Sequence, residues 1–430
     1  MASARRLPDS TPRPTGPESR PHVVVLGGGF GGLTAARHLR GAPVHVTIVD
    51  RRNHHVFQPL LYQVATAGLS PGDIASPIRF ILRRQANVRV LLADAIAIDV
   101  RRQCVQLDSG VLTYDYLIVA TGSTHAYFGH DDWARFAPGL KTLDDALAIR
   151  RRVLMAFERA ERMTDEQARR RALTFTIIGG GPTGVELAGA LAEIARHALR
   201  NEFDSIHPEE AAIILIEAGP ALLATFPPDL REEAMRSLRR LGVDVRPNTM
   251  VTSVRDGAVE GSTFRIESET ILWAAGVAAS PLGATLGVPL DRVGRVKVQD
   301  DLSVPGHSNV FVIGDLAHIE GADRQPLPGV APVAVQEAQH VARIIASGAT
   351  GPRPPFRYVN LGNLATIGRA SAVADFGWFR ARGAFAWLLW LFIHILKLTG
   401  FRNRFLVLVQ WAWAYVTYQR SIRLITGDRS

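Results

Sequence analysis

The sequence has a single cysteine, Cys104, among its 430 residues. One thiol excludes an intramolecular disulfide, a C-x-x-C redox pair and a cysteine-rich metal or iron–sulfur site. Enzymes that relay electrons through a dithiol of their own chain are therefore excluded. The scarcity of cysteine is also typical of a reducing, cytoplasmic-type compartment.

The chain also lacks any apolar run of the roughly 20 residues that a membrane-spanning helix needs. Two strongly apolar runs near its end, residues 384–396 and 405–418, are 13 and 14 residues long. Residues 1–20 have no apolar core and are rich in Pro, Ser and Arg. We therefore expect a disordered tail there rather than a signal peptide.

Basic residues exceed acidic ones, with a formal net charge of +9. Such an excess indicates either nucleic acid or an anionic membrane surface as a partner. The sequence has no run of five basic residues and no helix-turn-helix, zinc-finger or RNA-binding motif. We therefore expect no nucleic-acid partner.

Two glycine-rich patterns of the form G-x-G-x-x-G are the most informative feature of the chain. Each follows an apolar β-branched run and precedes an alanine-rich helix, which is the context of a dinucleotide-binding turn. The glycines permit the tight turn, the approach of a pyrophosphate and close helix–strand packing. Two such turns indicate two dinucleotides held by one protein, and hence electron transfer between them. The glycines are Gly27, Gly29 and Gly32 in the first pattern and Gly179, Gly181 and Gly184 in the second.

Acidic and small residues end the other predicted strands of the two halves. Asp50 lies about 20 residues beyond the first glycines, where a ribose hydroxyl needs an acceptor. Glu217 ends the matching strand of the second half after a longer interval, so we expect an extended helix or exit loop before it. An apolar strand in each half then closes in small residues, at Thr121–Gly122 and at Gly276. This repetition predicts an α/β fold with two related, Rossmann-like domains.

The composition changes sharply from residue 378 onward, where tryptophan and basic residues alternate with apolar ones. Tryptophan at headgroup level and arginine near anionic phosphates are typical of a helix lying in the plane of a membrane surface. The runs are apolar nearly all round, so a dimer interface or ordinary core helices are the alternative. The residues are Trp378, Trp387, Trp390, Trp411, Trp413, Arg380, Arg382, Lys397, Arg402, Arg404, Arg420 and Arg423.

Several stretches together resemble the type II NADH dehydrogenases, single-subunit NADH:quinone oxidoreductases of the two-dinucleotide-domain flavoprotein superfamily. The resemblance covers nearly all of residues 22–427. It is carried by HHVFQPLLYQVATAG, GGGPTGVELAG, WAAG, FVIGDLA, VQEAQHVA, LGNLATIGRASAVADFG and GFRNRFLVLVQWAWAYVTYQRSIRLITG.

The resemblance implies an FAD-binding domain formed by residues 21–150 and 295–345, and an NADH-binding domain formed by residues 151–294. It also implies a C-terminal region, residues 346–430, that is membrane-anchoring and helical or forms a dimer. FAD would be held by Gly27, Gly29, Gly32, Asp50, Thr121, Gly122 and Asp315, and NADH by Gly179, Gly181, Gly184, Glu217 and Gly276.

Two residues acquire catalytic roles through the resemblance. Glu186 would be a proton relay on the quinone side, although a solvated carboxylate in a first helical turn is the alternative. Gln336 would contact the quinone, with a structural hydrogen bond as its alternative. Family members often have a glutamine where this chain has Pro332. Asp315 has a plain helix cap as its alternative.

The resemblance implies hydride transfer from NADH to flavin N5, followed by two-electron reduction of a membrane quinone, ubiquinone or menaquinone. Because a carboxylate repels a 2′-phosphate, Glu217 favours NADH over NADPH. We expect no proton pumping, because the sequence has no chain of intramembrane ionisable groups. We also expect no metal site, because His54 and His55 have no further ligands at useful spacing. The expected setting is a homodimer bound through residues 378–426 to anionic lipid, on the cytoplasmic face of the inner membrane.

Two other functions stay open at this point. One is a soluble NADH:ferredoxin-type reductase, which would stay active without residues 378–430. The other is a flavin-bound signalling protein in which NADH only changes the conformation.

Overall fold

The computed structural model describes residues 20–321, 324–348, 353–397, 407–409 and 423–425. The predicted N-terminal tail thus lies outside the described residues, apart from residue 20. Contacts within the chain define two compact units. The first comprises residues 1–55, 76–124 and 277–360, and the second comprises residues 56–75, 125–276 and 361–430.

A six-stranded sheet forms the centre of the first unit. Its central strands are mostly apolar, and Val23, Val24 and Val25 are fully buried, which is typical of a parallel sheet covered on both faces. Every neighbouring pair is parallel except the pair at one edge. In spatial order the strands are Ser303–Val304, His307–Val312, Tyr116–Val119, His22–Leu26, His45–Asp50 and Val88–Leu92.

Two helices cover one face of this sheet and a small antiparallel sheet covers the other. The helix Phe30–His38 has small glycine and alanine residues, the helix Ala331–Ala346 is rich in alanine and valine, and the two pack closely against each other. The antiparallel sheet buries Ile98 and Val105 against the opposite face. Its strands are Ala95–Asp99, Cys104–Leu107 and Gly110–Thr113, and the 3₁₀ helix Pro281–Leu286 packs beside them. Short elements at Ser123–His125, Val277–Ala279, Val296–Lys297, Gly314–Leu316 and Ala317–His318 complete the neighbouring loops.

A four-stranded, all-parallel sheet forms the centre of the second unit. Its spatial order is Val243–Arg246, Ala212–Ile216, Thr174–Ile178 and Thr270–Trp273. An antiparallel sheet of Ser253–Arg255, Ala258–Glu260 and Arg265–Glu267 belongs to the same unit. Its helical elements are Asp131–Arg135, Leu143–Glu161, Glu166–Ala172, Pro182–Glu193 and Pro228–Arg240.

The structure confirms one predicted irregularity and shows a second. The helix before Glu217 continues into a π-helical turn, Ile194–Ala198, and a 3₁₀ turn, Pro208–Glu210, follows it, so this connection is extended. The segment after Asn53 is not a plain crossover helix. It consists of His54–Val56, Gln58–Leu60, Leu61–Ala65, Pro71–Ile74, Ala75–Pro77 and Ile78–Leu82.

The C-terminal region contains a sheet as well as the predicted helix. An antiparallel sheet of Asn363–Gly368, Ser371–Asp375 and Arg380–Arg382 precedes the helix Gly383–Lys397. Among the described residues, no helix is both long and apolar enough to cross a membrane. Most of the second apolar run, with Arg402, Arg404, Trp411, Trp413 and Arg420, lies outside the described residues.

Candidate active site

The first glycine turn joins the strand His22–Leu26 to the helix Phe30–His38. Gly27 has φ +100°, and a Cβ there would lie 2.4 Å from the carbonyl oxygen of Ala120. A Cβ at Gly32 would lie 1.8 Å from the carbonyl oxygen of Gly27. Gly29 caps the helix and has no heavy atom within 4 Å of its Cβ position. The open space at this helix N-terminus suits an anionic phosphate.

The second glycine turn repeats this arrangement between Thr174–Ile178 and Pro182–Glu193. Gly179 has φ +114°, and a Cβ there would lie 2.6 Å from the carbonyl of Ala274. A Cβ at Gly184 would lie 1.8 Å from the carbonyl oxygen of Gly179, whereas the Cβ position of Gly181 is open. The first and third glycines of each pattern thus serve protein packing, and the middle one leaves room for a ligand.

The acidic strand ends hold the two turns in place. The Asp50 carboxylate accepts hydrogen bonds from the backbone N–H groups of Gly28 at 2.6 Å and Arg52 at 2.7 Å. The Glu217 carboxylate accepts one from Gly180 and one from Gly219, both at 2.6 Å. A carboxylate has about four acceptor sites, so each can still accept from a ribose hydroxyl.

The His55 side chain is hydrogen-bonded to the backbone of the first glycine turn. Its side chain is buried, and Nδ1 donates to the carbonyl oxygen of Gly28 at 3.0 Å. Burial lowers the pKa of His55, so the ring is neutral near pH 7. The side chain therefore supports the turn.

The residues assigned to the flavin lie beside the first turn. Gly27 packs against Ala120, which directly precedes Thr121 and Gly122. The Oγ1 atom of Thr121 is buried with no hydrogen-bond partner in the described part of the chain, and a hydroxyl in that state calls for a partner. Gly122 has φ +68° and open space at its Cβ position. These features fit a bound FAD.

Asp315 and Glu337 are two neighbouring acidic residues, of which the sequence analysis identified only Asp315. Asp315 accepts a hydrogen bond from the Ser123 hydroxyl at 2.5 Å. Glu337 is 1% exposed and accepts from the N–H of Gly314. Burial, followed by the nearby Asp315 charge, raises the pKa of Glu337 to about 8. We did not predict Glu337; its signal is a carboxylate among the buried positions of an Ala/Val helix.

The Gln336 side chain makes two hydrogen bonds to the chain's own backbone. Its Nε2 donates to the carbonyl oxygen of Val359, and its Oε1 accepts from the Val359 N–H, both at 2.9 Å. This pair of bonds ties the helix Ala331–Ala346 to an extended segment. The two bonds to Val359 are the kind of structural hydrogen bond that the alternative for Gln336 expects. The contact of Gln336 with the quinone stays a prediction.

One face of the helix Pro182–Glu193 lies against the C-terminal strand Asn363–Gly368. A backbone hydrogen bond from Thr366 reaches Glu186, while desolvation raises the pKa of this carboxyl to about 8. A Cβ at Gly189 would lie 1.6 Å from the carbonyl oxygen of Ile367, so only glycine allows this approach. Glu186 itself is half-buried on this helix, and its role as a proton relay stays a prediction.

Two units with matching dinucleotide turns define a flavin- and pyridine-nucleotide-dependent oxidoreductase, and beside one turn lies the Thr121 hydroxyl, which has no partner among the described residues. The sequence matches the pyridine nucleotide-disulphide oxidoreductase family over residues 21–338 and the NDH2 C-terminal domain over residues 360–418. The chain therefore belongs to this family and, within it, to the type II NADH:quinone oxidoreductases.

Similar proteins support this assignment along the whole chain. The type II NADH:quinone oxidoreductase Ndh of Mycobacterium tuberculosis is 45% identical, covering 96% of this chain and 92% of its own. NdhA of the same organism is 46% identical, with 97% and 92% covered. The structure of NDH2 from Plasmodium falciparum in complex with NADH has a TM-score of 0.86 at 20% identity, covering 95% of this chain and all of that one. The latter likeness shows a common fold.

Proposed function

We propose that this protein oxidises NADH and, through FAD, reduces a membrane quinone without pumping protons. The observation that carries the proposal is the pair of matching turns, each held by an acidic strand end. When bound, FAD supplies the two-electron redox chemistry. The family to which the chain belongs supports the same activity.

The first unit would hold FAD. Its pyrophosphate would lie at Gly29, at the positive end of the helix Phe30–His38. Asp50 would accept from the adenosine ribose, and Thr121 would give its buried hydroxyl a partner on the flavin. Asp315, held by Ser123, would bind the ribityl or phosphate side.

The second unit would hold NADH. Gly181 would receive the pyrophosphate, and Glu217 would accept from the adenosine ribose. Gly276 would flank the nicotinamide nucleotide. The negative charge of Glu217 would repel a 2′-phosphate, so NADH would be preferred to NADPH.

Glu186 would hold the proton that quinone reduction consumes. Its pKa of about 8 means that the carboxyl is mostly protonated at pH 7, as a general acid requires. Gln336 would contribute on the quinone side, by contact or by holding the segment at Val359. Whether the quinone is ubiquinone or menaquinone stays open.

The helix Gly383–Lys397 would seat the protein on the membrane. One face, with Ala386 and Trp390, is buried against protein. The other face exposes about half or more of each of four large apolar side chains, and Trp378 nearby is 88% exposed. A face of this kind suits shallow insertion among lipid headgroups. The four side chains are Phe385, Leu388, Phe392 and Leu396.

We further propose that this surface binds anionic lipid on the cytoplasmic face of the inner membrane. Arg380 and Arg382 directly precede the helix and would contact lipid phosphates, Arg380 in exchange for its ion pairs with Asp229 and Asp375. The homodimer stays a prediction.

Stopped-flow absorbance on the detergent-extracted protein tests the proposed activity. Addition of NADH should bleach the flavin rapidly, and a short-chain quinone should then restore its absorbance at a comparable rate. Bleaching without reoxidation by quinone would contradict the proposal and favour a protein acceptor.

Removal of residues 378–430 tests the proposed membrane contact and should abolish binding to vesicles. If the shortened protein kept full activity with a protein acceptor, a ferredoxin-type reductase would be favoured instead.

A further inference from the structure

Phe128 occupies a turn that is locally unfavourable for it. The N–H of His130 donates to the carbonyl oxygen of Tyr127 at 3.0 Å, which closes a four-residue turn. The two central residues both have positive φ, +53° at Phe128 and +90° at Gly129. Turns of this type favour Gly, Asn or Asp at both centres, and a bulky residue there is strained.

Burial of the ring does not offset this strain. Phe128 is 70% exposed, so its ring removes little apolar surface from water. The backbone beside it is nonetheless fixed, because the indole N–H of Trp273 donates to the carbonyl of Ala126 at 2.9 Å. The Tyr127 hydroxyl donates to Ala137 at 2.9 Å, and its ring stacks on Trp273 at 5.1 Å. A rigid support therefore presents an exposed aromatic ring in a fixed direction.

The ring lies directly on Gly276. A Cβ at Gly276 would be 2.6 Å from Cζ of Phe128, and Gly276 itself has φ +89°. This glycine follows the strand Thr270–Trp273 at the carboxyl edge of the four-stranded sheet. Phe128 thus covers the end of a strand at which ligands of such sheets bind.

The strand order defines which part of a dinucleotide would reach this ring. Thr174–Ile178 lies between Ala212–Ile216 and Thr270–Trp273, so the chain changes direction across the sheet beside the second glycine turn. Dinucleotides lie across the crevice at such a switch point. With the adenosine at Glu217 and the pyrophosphate at Gly181, the nicotinamide riboside extends toward Gly276.

We propose that Phe128 packs its ring against the nicotinamide riboside of NADH, and so positions and shields the hydride-donating end of the substrate. The inference rests on the proposed function, since it requires NADH in the second unit. An aromatic ring suits this role because it gives a large, rigid contact with few rotatable bonds. The contact with the substrate would thereby offset the local stability that the strained turn costs.

The affinities of two ligands distinguish the contribution of this contact from that of the rest of the NADH site. Calorimetric titration of the full-length, FAD-loaded protein would use 1,4,5,6-tetrahydro-NAD, which keeps a nicotinamide-like ring but donates no hydride, and ADP-ribose, which lacks that ring. Phe128→Ala should weaken binding of tetrahydro-NAD about three- to tenfold and weaken ADP-ribose, which keeps only the ribose of this contact, by a smaller factor. Phe80→Ala, at a phenylalanine of the first unit that is 58% exposed, should change neither.

Two further variants distinguish substrate contact from a structural role. Phe128→Asn suits a positive φ, so its Tm should equal or exceed that of the natural protein while tetrahydro-NAD binding falls. Phe128→Tyr should keep that binding. The inference is overturned if Phe128→Ala weakens both ligands equally or neither, or if Phe128→Asn lowers Tm. If the natural protein binds neither ligand, the proposed NADH site fails and the inference fails with it.

Discussion

Asp50 and Glu217 occupy equivalent positions in the two halves of the chain. Asp50 is the last residue of its strand and Glu217 directly follows the corresponding strand, and each accepts a 2.6 Å hydrogen bond from the residue between the first two glycines of its turn, Gly28 or Gly180. The second carboxylate oxygen accepts from a backbone N–H two residues further on, at Arg52 and at Gly219. The acids thus stabilise the turns that the nucleotides need, in addition to carrying charge.

Replacement of Glu217 by Gln should reduce the preference for NADH over NADPH. The variant loses the charge that repels a 2′-phosphate, so the ratio of kcat/KM for NADPH to that for NADH should rise about tenfold. NADH binding should also weaken, because a glutamine amide has one acceptor oxygen and its N–H₂ group only donates, so one of the hydrogen bonds from Gly180 and Gly219 is lost. Steady-state kinetics with both nucleotides checks the ratio.

The matched control for that variant is Asp50→Asn. It makes the same chemical change in the first half, so it should promote loss of FAD, measured by filtration and absorbance, and leave the nucleotide preference unchanged. An unchanged preference in Glu217→Gln would mean that another residue reads the ribose.

Gln336→Ala tests what the two bonds to Val359 contribute. The loss of two neutral hydrogen bonds should destabilise the protein by about 1 to 3 kcal/mol. Reoxidation of the flavin by quinone should slow more than its reduction by NADH, because the segment at Val359, on the proposed quinone side, loses its attachment to the helix. Stopped-flow and thermal unfolding measure the two effects, with Gln339→Ala on the same helix as control. Equal slowing of both half-reactions would instead indicate support of the flavin pocket.

The sequence was sufficient to predict the two nucleotide units, because short-range rules govern them. The glycine spacing, the β-branched runs and the acidic strand ends at Asp50 and Glu217 are local features, and each adopts the predicted structure. The long exit from the helix Pro182–Glu193 was also evident from its spacing.

The missed features depend on contacts between residues far apart in the chain. The C-terminal strands Asn363–Gly368 and Ser371–Asp375 contain only three β-branched residues and also asparagine, glycine and aspartate, which are depleted in strands, so their composition does not predict them. The close approach of Gly189 to Ile367 and the burial of Glu337 arise only when the helices pack. Phe128 has no periodic signal, and its positive φ is visible only in the fold.

Glu337 should make the protein less stable as pH rises. Its folded-state pKa of about 8 lies above the ordinary value of 4.5, so its carboxyl favours folding when protonated. This contribution is complete below pH 4.5 and is lost as pH rises to 8. In Glu337→Gln, which keeps an acceptor for Gly314, Tm should fall less between pH 5 and pH 8 than in the natural protein. Identical Tm profiles would mean that Glu337 does not titrate in this range.

Glu186→Gln should separate the two half-reactions by their pH dependence. With a pKa of about 8, the natural carboxyl can donate a proton at pH 7 but not at pH 9. Reoxidation of the reduced enzyme by quinone should therefore decline above pH 8 in the natural protein. In the variant it should be about tenfold slower or more at pH 7 and should lose that decline, because an amide does not titrate. Reduction by NADH should be unchanged in both. A variant that retains the alkaline decline in stopped-flow reoxidation would assign the proton to another group, and Glu186 would then serve only to join the helix Pro182–Glu193 to the strand at Thr366.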